Sequence, residues 1–250
     1  MRYSEIIEGL TVSPEKQLKF NYGDPTGVST RLGKSSKPYS FVPYVKQDKT
    51  LGGYTIYSVY AADDATEILK TLKKKTDIGM EEADYQQFLN RSALFITAKI
   101  LRPNNIDIIV TPKSSSNILN DLLSLIANKN PHIRFLPDTY VKIADISKIQ
   151  IDYNNPRITD TIAKRLEDII HSAIKTGSFE MKKVLPRNRN FLRNFLEIID
   201  PSMLKLFNGQ NVCVMDDVIT TGITQMEIIR SIADYNPNNV IGVTLYKTDK

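Results

Sequence analysis

The sequence predicts an α/β fold with a mostly parallel central sheet flanked by helices, and three observations carry that expectation. Short apolar runs at residues 106–110, 212–215 and 240–246 have the continuous hydrophobic character of strands buried on both faces. Helical spacing follows two of them: Ile118, Leu119, Leu122, Leu123 and Ile126 after one, Met226, Ile229 and Ile232 after another. Runs of the two kinds alternate, which implies a parallel sheet with ligands at the carboxyl ends of its strands.

The 250-residue chain is long enough to bury a full core. It divides into an N-terminal accessory lobe at 1–80 and a core at 81–250, with 145–190 as an extended insertion. Apolar content of 41% and charged content of 24% are ordinary for a globular protein, and the apolar runs are too short to span a bilayer. The opening MRYSEIIEGL carries acidic residues and no hydrophobic leader, so cytoplasmic residence without membrane association is expected. The single cysteine, Cys213, cannot form an internal disulfide, and its place in an apolar run reads as core packing. With only His132 and His171, a histidine metal site is not expected. A net charge of +5 and a pI near 9.1 suit a phosphate-rich partner without separating a metabolite from nucleic acid. Lys73, Lys74 and Lys75, the tight basic run, read as a helix end complementing its dipole.

Glycine and proline punctuate residues 1–60, where 41–45 and 54–60 have the aromatic and β-branched content of strands. Asp64 and Glu67 make a capping box for a helix ending near the lysines, and a second helix is expected over 82–101, stopped by Pro103. Strands are expected at 132–136 and again at 140–144. Asn155 and Pro156 suit the start of a helix closed by Gly177, with Ile158, Ile162, Leu166, Ile169, Ile170 and Ala173 on its apolar side. Phe191, Phe195, Ile198 and Ile199 suggest a short helix before Pro201.

Two turns carry chemistry. Residues 212–224 read VCVMDDVITTGIT, a strand, two adjacent carboxylates, and a small hydroxyl-rich turn at a helix start. Thr220, Thr221 and Thr224 supply hydroxyls, Gly222 a backbone free to take positive φ, and the helix N-terminus exposed amides that favour an anion. Asp216 and Asp217 are acceptors suited to sugar hydroxyls or hydrated Mg²⁺. No lysine follows the glycine as a Walker A loop requires, and a dinucleotide fingerprint needs more glycines. The second turn, Thr111-Pro112-Lys113-Ser114-Ser115-Ser116, follows the 106–110 run directly and opens a helix.

The thirteen residues 212–224 resemble the signature of the type I phosphoribosyltransferases. That resemblance implies an Mg²⁺-dependent transferase that passes the phosphoribosyl group of 5-phosphoribosyl 1-pyrophosphate to a nitrogen nucleophile, a nucleobase, and releases pyrophosphate. It implies that residues Val218, Ile219, Thr220, Thr221, Gly222, Ile223 and Thr224 bind the 5-phosphate. Asp216 and Asp217 would serve as catalytic residues that hold the ribose hydroxyls and contact the metal through water. Lys113, Ser114 and Ser115 would bind pyrophosphate, since their turn occupies the place of the family's pyrophosphate loop. The 145–190 interval corresponds to the mobile loop that closes over the reaction in this family, and Arg187 and Arg189 are candidate lid cations within the basic stretch 182–193. Residues 1–80 would form the hood over the base, where Phe41, Tyr44, Tyr54, Tyr57 and Tyr60 could stack on it. Thr220 stands where oxopurine-specific members carry an aspartate, so the acceptor stays open. Family members are commonly homodimers. The other reading is a non-catalytic regulator of the same fold, sensing the metabolite and binding nucleic acid or a protein partner.

Overall fold

A computed structural model describes residues 8–12, 17–21, 40–43, 54–62, 79–114, 117–219 and 222–248. Among these, a ten-stranded sheet runs in the order β10-β7-β6-β11-β12-β4-β3-β1-β2-β5. Its middle is β7 (Arg134–Lys142), β6 (Ile108–Pro112), β11 (Asn211–Ile219), β12 (Asn239–Thr248) and β4 (Thr55–Ala62), each parallel to the next. The expected α/β architecture is what the chain adopts. Antiparallel pairing appears at the flanks, where β10 (Leu196–Ile198) lies against β7, and β3 (Ser40–Pro43), β1 (Glu8–Val12) and β2 (Gln17–Asn21) extend the sheet beyond β4. β5 (Gly79–Met80) pairs parallel with β2. Through β4, part of the segment grouped above with the N-terminal lobe is hydrogen-bonded into the central sheet.

Alternation along the buried strands splits the core in two. Ile109, Cys213, Met215, Ile241 and Val243 face one way and pack under α1 (Glu82–Ile96) and α2 (Ile118–Lys129). Ile108, Val110, Val212, Val214 and Val240 face the other way, toward Ile228, Ile229 and Ile232 of α4 (Ile223–Ala233). Burial holds the Cys213 thiol well above its usual range, as expected of a packing cysteine.

A third cluster draws on the expected insertion together with its flanking residues, over 143–195. Leu166, Ile170 and Ala173 of α3 (Asp160–Thr176) pack with Ile146, Ile149, Val184, Phe191, Leu192 and Phe195. A two-stranded ribbon, β8 (Gln150–Ile151) with β9 (Leu192–Arg193), ties its ends together. Ile223, at the start of the helix after β11, is buried in the same cluster.

Several local expectations change in the structure. α3 starts at Asp160 with Thr159 as its N-cap, whose hydroxyl accepts from the Ile162 amide. Asn155 instead closes a turn by accepting from the Arg157 amide, while Gly177 ends the helix at φ 67° as expected. Phe191 ends a 3-10 helix, Pro186–Phe191, and residues 192–199 are not helical: Asn194 sits at φ 59° and Leu196–Ile198 becomes an edge strand on β7. Apolar residues four apart on so short a stretch fit a turn and strand equally well. The strands expected at 132–136 and 140–144 are one strand, β7, kinked at Asp138 (φ 52°), whose amide donates to the Thr111 hydroxyl. The helix expected over 82–101 is α-helical to Ile96 and finishes as a π-helical turn, Thr97–Leu101. The capping-box helix and the Lys73–Lys75 run lie outside the described residues. Tyr54 and Tyr57 are half-buried and pack on the two opposite core clusters.

No helix among the described residues is long and apolar enough to cross a membrane.

Gly242 lies where β12 passes beneath α4. A Cβ there would come within 2.9 Å of Ile56 Cγ1 and 3.0 Å of Gln225 Oε1. Gly242→Ala is expected to lower stability by about 1–3 kcal/mol through overpacking, read as a drop in the urea midpoint at constant m.

Candidate functional site

The candidate site is set by the way the chain leaves β6 and β11. From β6 it passes through α2 to β7 on one side; from β11 it passes through α4 to β12 on the other. The two crossing helices cover opposite faces of the sheet. β6 and β11 are neighbours, so the gap beyond their carboxyl ends is the topological switch point, where open α/β sheets bind ligands. Both turns singled out in the sequence emerge there.

On the β6 side, Lys113 is exposed and Ser114 half-buried, with Asn117 and α2 following. The Lys113 amide donates to the Tyr140 carbonyl at 2.7 Å, which holds the start of this turn against β7. On the β11 side, Asp216 is half-buried and Asp217 is 5% exposed. The Asp217 amide donates to Asp216 Oδ1 at 2.8 Å. Val218 and Ile219 are the last residues of β11. Gly222 takes φ 70° and caps α4, whose first intrahelical bond runs from the Met226 amide to the Gly222 carbonyl at 2.9 Å. Ahead of that bond the amides of the first turn have no intrahelical partner, the arrangement that favours an anion. Ile223 is buried and Thr224 half-buried. Thr220, Thr221 and Ser115 lie outside the described residues.

The two lid cations are placed differently. Arg187 is exposed, whereas Arg189 spends its Nε on the Val184 carbonyl at 3.0 Å. The stronger ionic contact nearby is one the sequence reading did not single out as a pair: Arg193 Nη2 meets Asp152 Oδ2 at 2.5 Å.

No protein-family model matches the chain, and no curated protein does. Among solved structures it is similar to hypoxanthine phosphoribosyltransferase of Trypanosoma cruzi, at 15% identity over 65% of this chain and 62% of that one, with a TM-score of 0.31. It is also similar to purine phosphoribosyltransferase of Pyrococcus horikoshii, at 12% identity over 66% of this chain and 86% of that one, with a TM-score of 0.35. At these values the likeness carries no argument about substrate or catalysis, and function is argued from the chain's own residues.

Three residues of α4 matter to the site and were not foreseen. Gln225 is 2% exposed, and its Nε2 donates to the carbonyls of Val214 at 3.3 Å and Val243 at 2.8 Å, pinning the first turn to β11 and β12. Glu227, 8% exposed, accepts from the Asn194 amide, and burial pushes its carboxyl above the usual range. Arg230 stands 3.8 Å from Glu227; burial, then the nearby Arg193 charge, lowers its pKa. With Tyr54, Tyr140, Arg193 and Ser231, Glu227 and Arg230 line a cavity of about 470 Å³ by the later turns of α4, away from the switch point. Polar residues inside a run of isoleucines give no sequence cue, because only the packing shows that this helix is enclosed on more than one side.

Gly222→Ala is expected to cost about 1–2 kcal/mol, the penalty of a left-handed backbone for an L side chain, measurable by urea unfolding.

Proposed function

We propose that the protein is a phosphoribosyltransferase that exchanges the pyrophosphate of 5-phosphoribosyl 1-pyrophosphate for a nitrogen nucleophile, a nucleobase. The observation that supports this reading is the parallel pairing of β6 with β11 at the switch point of the sheet, since the two turns that the sequence marks as suited to anions, one preceded by paired carboxylates, follow these two strands. A molecule with phosphate groups at both ends of a ribose fits such a pair of turns, and the residues 212–224 resemble the signature of enzymes that use it.

Each group has a task in this scheme. The amides and hydroxyls of 220–224 bind the 5-phosphate, and Asp216 and Asp217 hold the ribose hydroxyls. Lys113, with Ser114 and Ser115, meets the pyrophosphate with a full positive charge beside main-chain donors. Arg187 and the remaining nitrogens of Arg189 face charge on the leaving group when substrate is bound. Cleaving the bond between C1 and the pyrophosphate oxygen leaves an oxocarbenium-like carbon, so the protein acts mainly by orienting the reactants and offsetting the leaving charge.

The all-oxygen donors Asp216 and Asp217 suit Mg²⁺, which when bound would neutralise charge on the pyrophosphate.

The test is pyrophosphate release from phosphoribosyl pyrophosphate and Mg²⁺ with a panel of nucleobases, beside a salt-dependent nucleic-acid shift assay. Release with one base supports the enzyme; nucleic-acid binding without release would replace it with a regulator. Asp216→Asn combined with Asp217→Asn is expected to lower turnover by a factor on the order of 100 or more with an unchanged circular dichroism spectrum. Full activity in that double variant would remove the carboxylates from the mechanism.

A further inference from the structure

The helix that follows the candidate phosphate turn is gripped by the inserted segment at two points. Ile223, the first residue of α4, is 5% exposed and belongs to the same cluster as Leu166, Ile170, Val184 and Phe195 of the insertion. One turn later, Glu227 Oε1 accepts from the backbone amide of Asn194, where the chain returns to the sheet. Asn194 is held at φ 59° there, next to Arg193, whose guanidinium is tied to Asp152 and to the Asn190 and Leu192 carbonyls. On the opposite side Gln225 fastens the same helical turn to β11 and β12.

A turn whose unpaired amides must converge on a phosphate needs a fixed helix axis, because displacing donors by a fraction of an ångström weakens every bond to the anion together. The sheet supplies one restraint through Gln225. The second comes from the insertion, and the carboxylate of Glu227 is its polar anchor. We propose that residues 143–195 act as the positioning device for the phosphate-binding turn, through Glu227 as a positioning residue and Ile223 as its apolar partner. This rests on the assignment of the 220–224 turn to the 5-phosphate. It assigns the insertion a role beyond closure over substrate, at the end of the substrate away from the leaving group.

The full chain carrying Glu227→Ala is compared with wild type and Glu227→Gln by calorimetric titration with ribose 5-phosphate and, separately, with pyrophosphate and Mg²⁺. Loss of a hydrogen bond to a charged acceptor is expected to weaken ribose 5-phosphate binding by about tenfold in Glu227→Ala. Pyrophosphate binding at the Lys113 turn should change by less than about twofold, as for independent sites. Glu227→Gln keeps an oxygen acceptor for the Asn194 amide and should recover most of the loss. Equal weakening of both ligands, or of neither, would overturn the proposal.

Hydrogen exchange across residues 222–230 reads the same contact without ligand. Faster exchange in Glu227→Ala supports the grip, and unchanged exchange overturns it. Wild type that binds neither ribose 5-phosphate nor pyrophosphate would sink the phosphoribosyl reading, leaving the exchange result to decide the grip separately. Should Glu227→Ala fail to fold, Glu227→Asp, which keeps the charge but shortens its reach, is read by the same two measurements.

Discussion

The pairing of β6 with β11 is the constraint on which the rest depends. It is clamped at its lower end by Asp107 and Asn211: each backbone amide finds a partner on the other residue, and Asn211 donates to Asp107 Oδ2 from both its amide, at 2.8 Å, and its side chain, at 3.0 Å. Asn211 Nδ2 also reaches the Asn105 carbonyl at 3.0 Å. Residues about a hundred positions apart are thereby fixed in register, so Val212 meets Ile108 and Val214 meets Val110. From that register the two strands lead out at the same edge of the sheet. A closure over so many residues is entropically costly, and a side-chain clamp at the first rung offsets part of it.

Around that pair the chain builds outward in both directions, and the two directions differ in how they are covered. The α2 side is an amphipathic helix on a sheet, with exposed Asn120 and Ser124 opposite buried Leu122 and Ile126. The α4 side is enclosed more fully: Ile223, Gln225, Met226, Glu227, Ile228, Ile229 and Ile232 are all buried, because the sheet lies beneath and the insertion lies against the first turns. The buried amide and carboxylate there each keep a hydrogen-bonded atom, Gln225 Nε2 on the strand carbonyls and Glu227 Oε1 on the Asn194 amide, while Gln225 Oε1 and Glu227 Oε2 lack a hydrogen-bond partner among the described residues. Specific polar contacts of this kind fix one orientation of a helix, whereas an all-isoleucine face would permit sliding.

Much of this was legible in the residues themselves. Continuous apolar runs marked β6, β11 and β12, and the 3.6-residue period marked α2 and α4, because both signals are local and strong. The glycine expected to take positive φ at the start of α4 does so at Gly222, and Gly177 ends α3 in the same backbone region. Where two local signals were balanced, longer-range contacts decided. Within 191–199, Leu196–Ile198 became a strand because the open edge of β7 offered it hydrogen bonds. The 134–142 stretch stayed one strand because the Thr111 hydroxyl supports the kink at Asp138.

By itself, then, the sequence determined the α/β class, the hydroxyl-bearing residues that follow two of the strands and the carboxylates ahead of one of these groups, since each depends on residue type and short spacing. The order of strands, the meeting of the two turns at a switch point, and the contact between Glu227 and Asn194 were decided only by tertiary structure. Pairing partners in a parallel sheet are separated by whole crossover units, and no local pattern encodes which neighbour a strand will find.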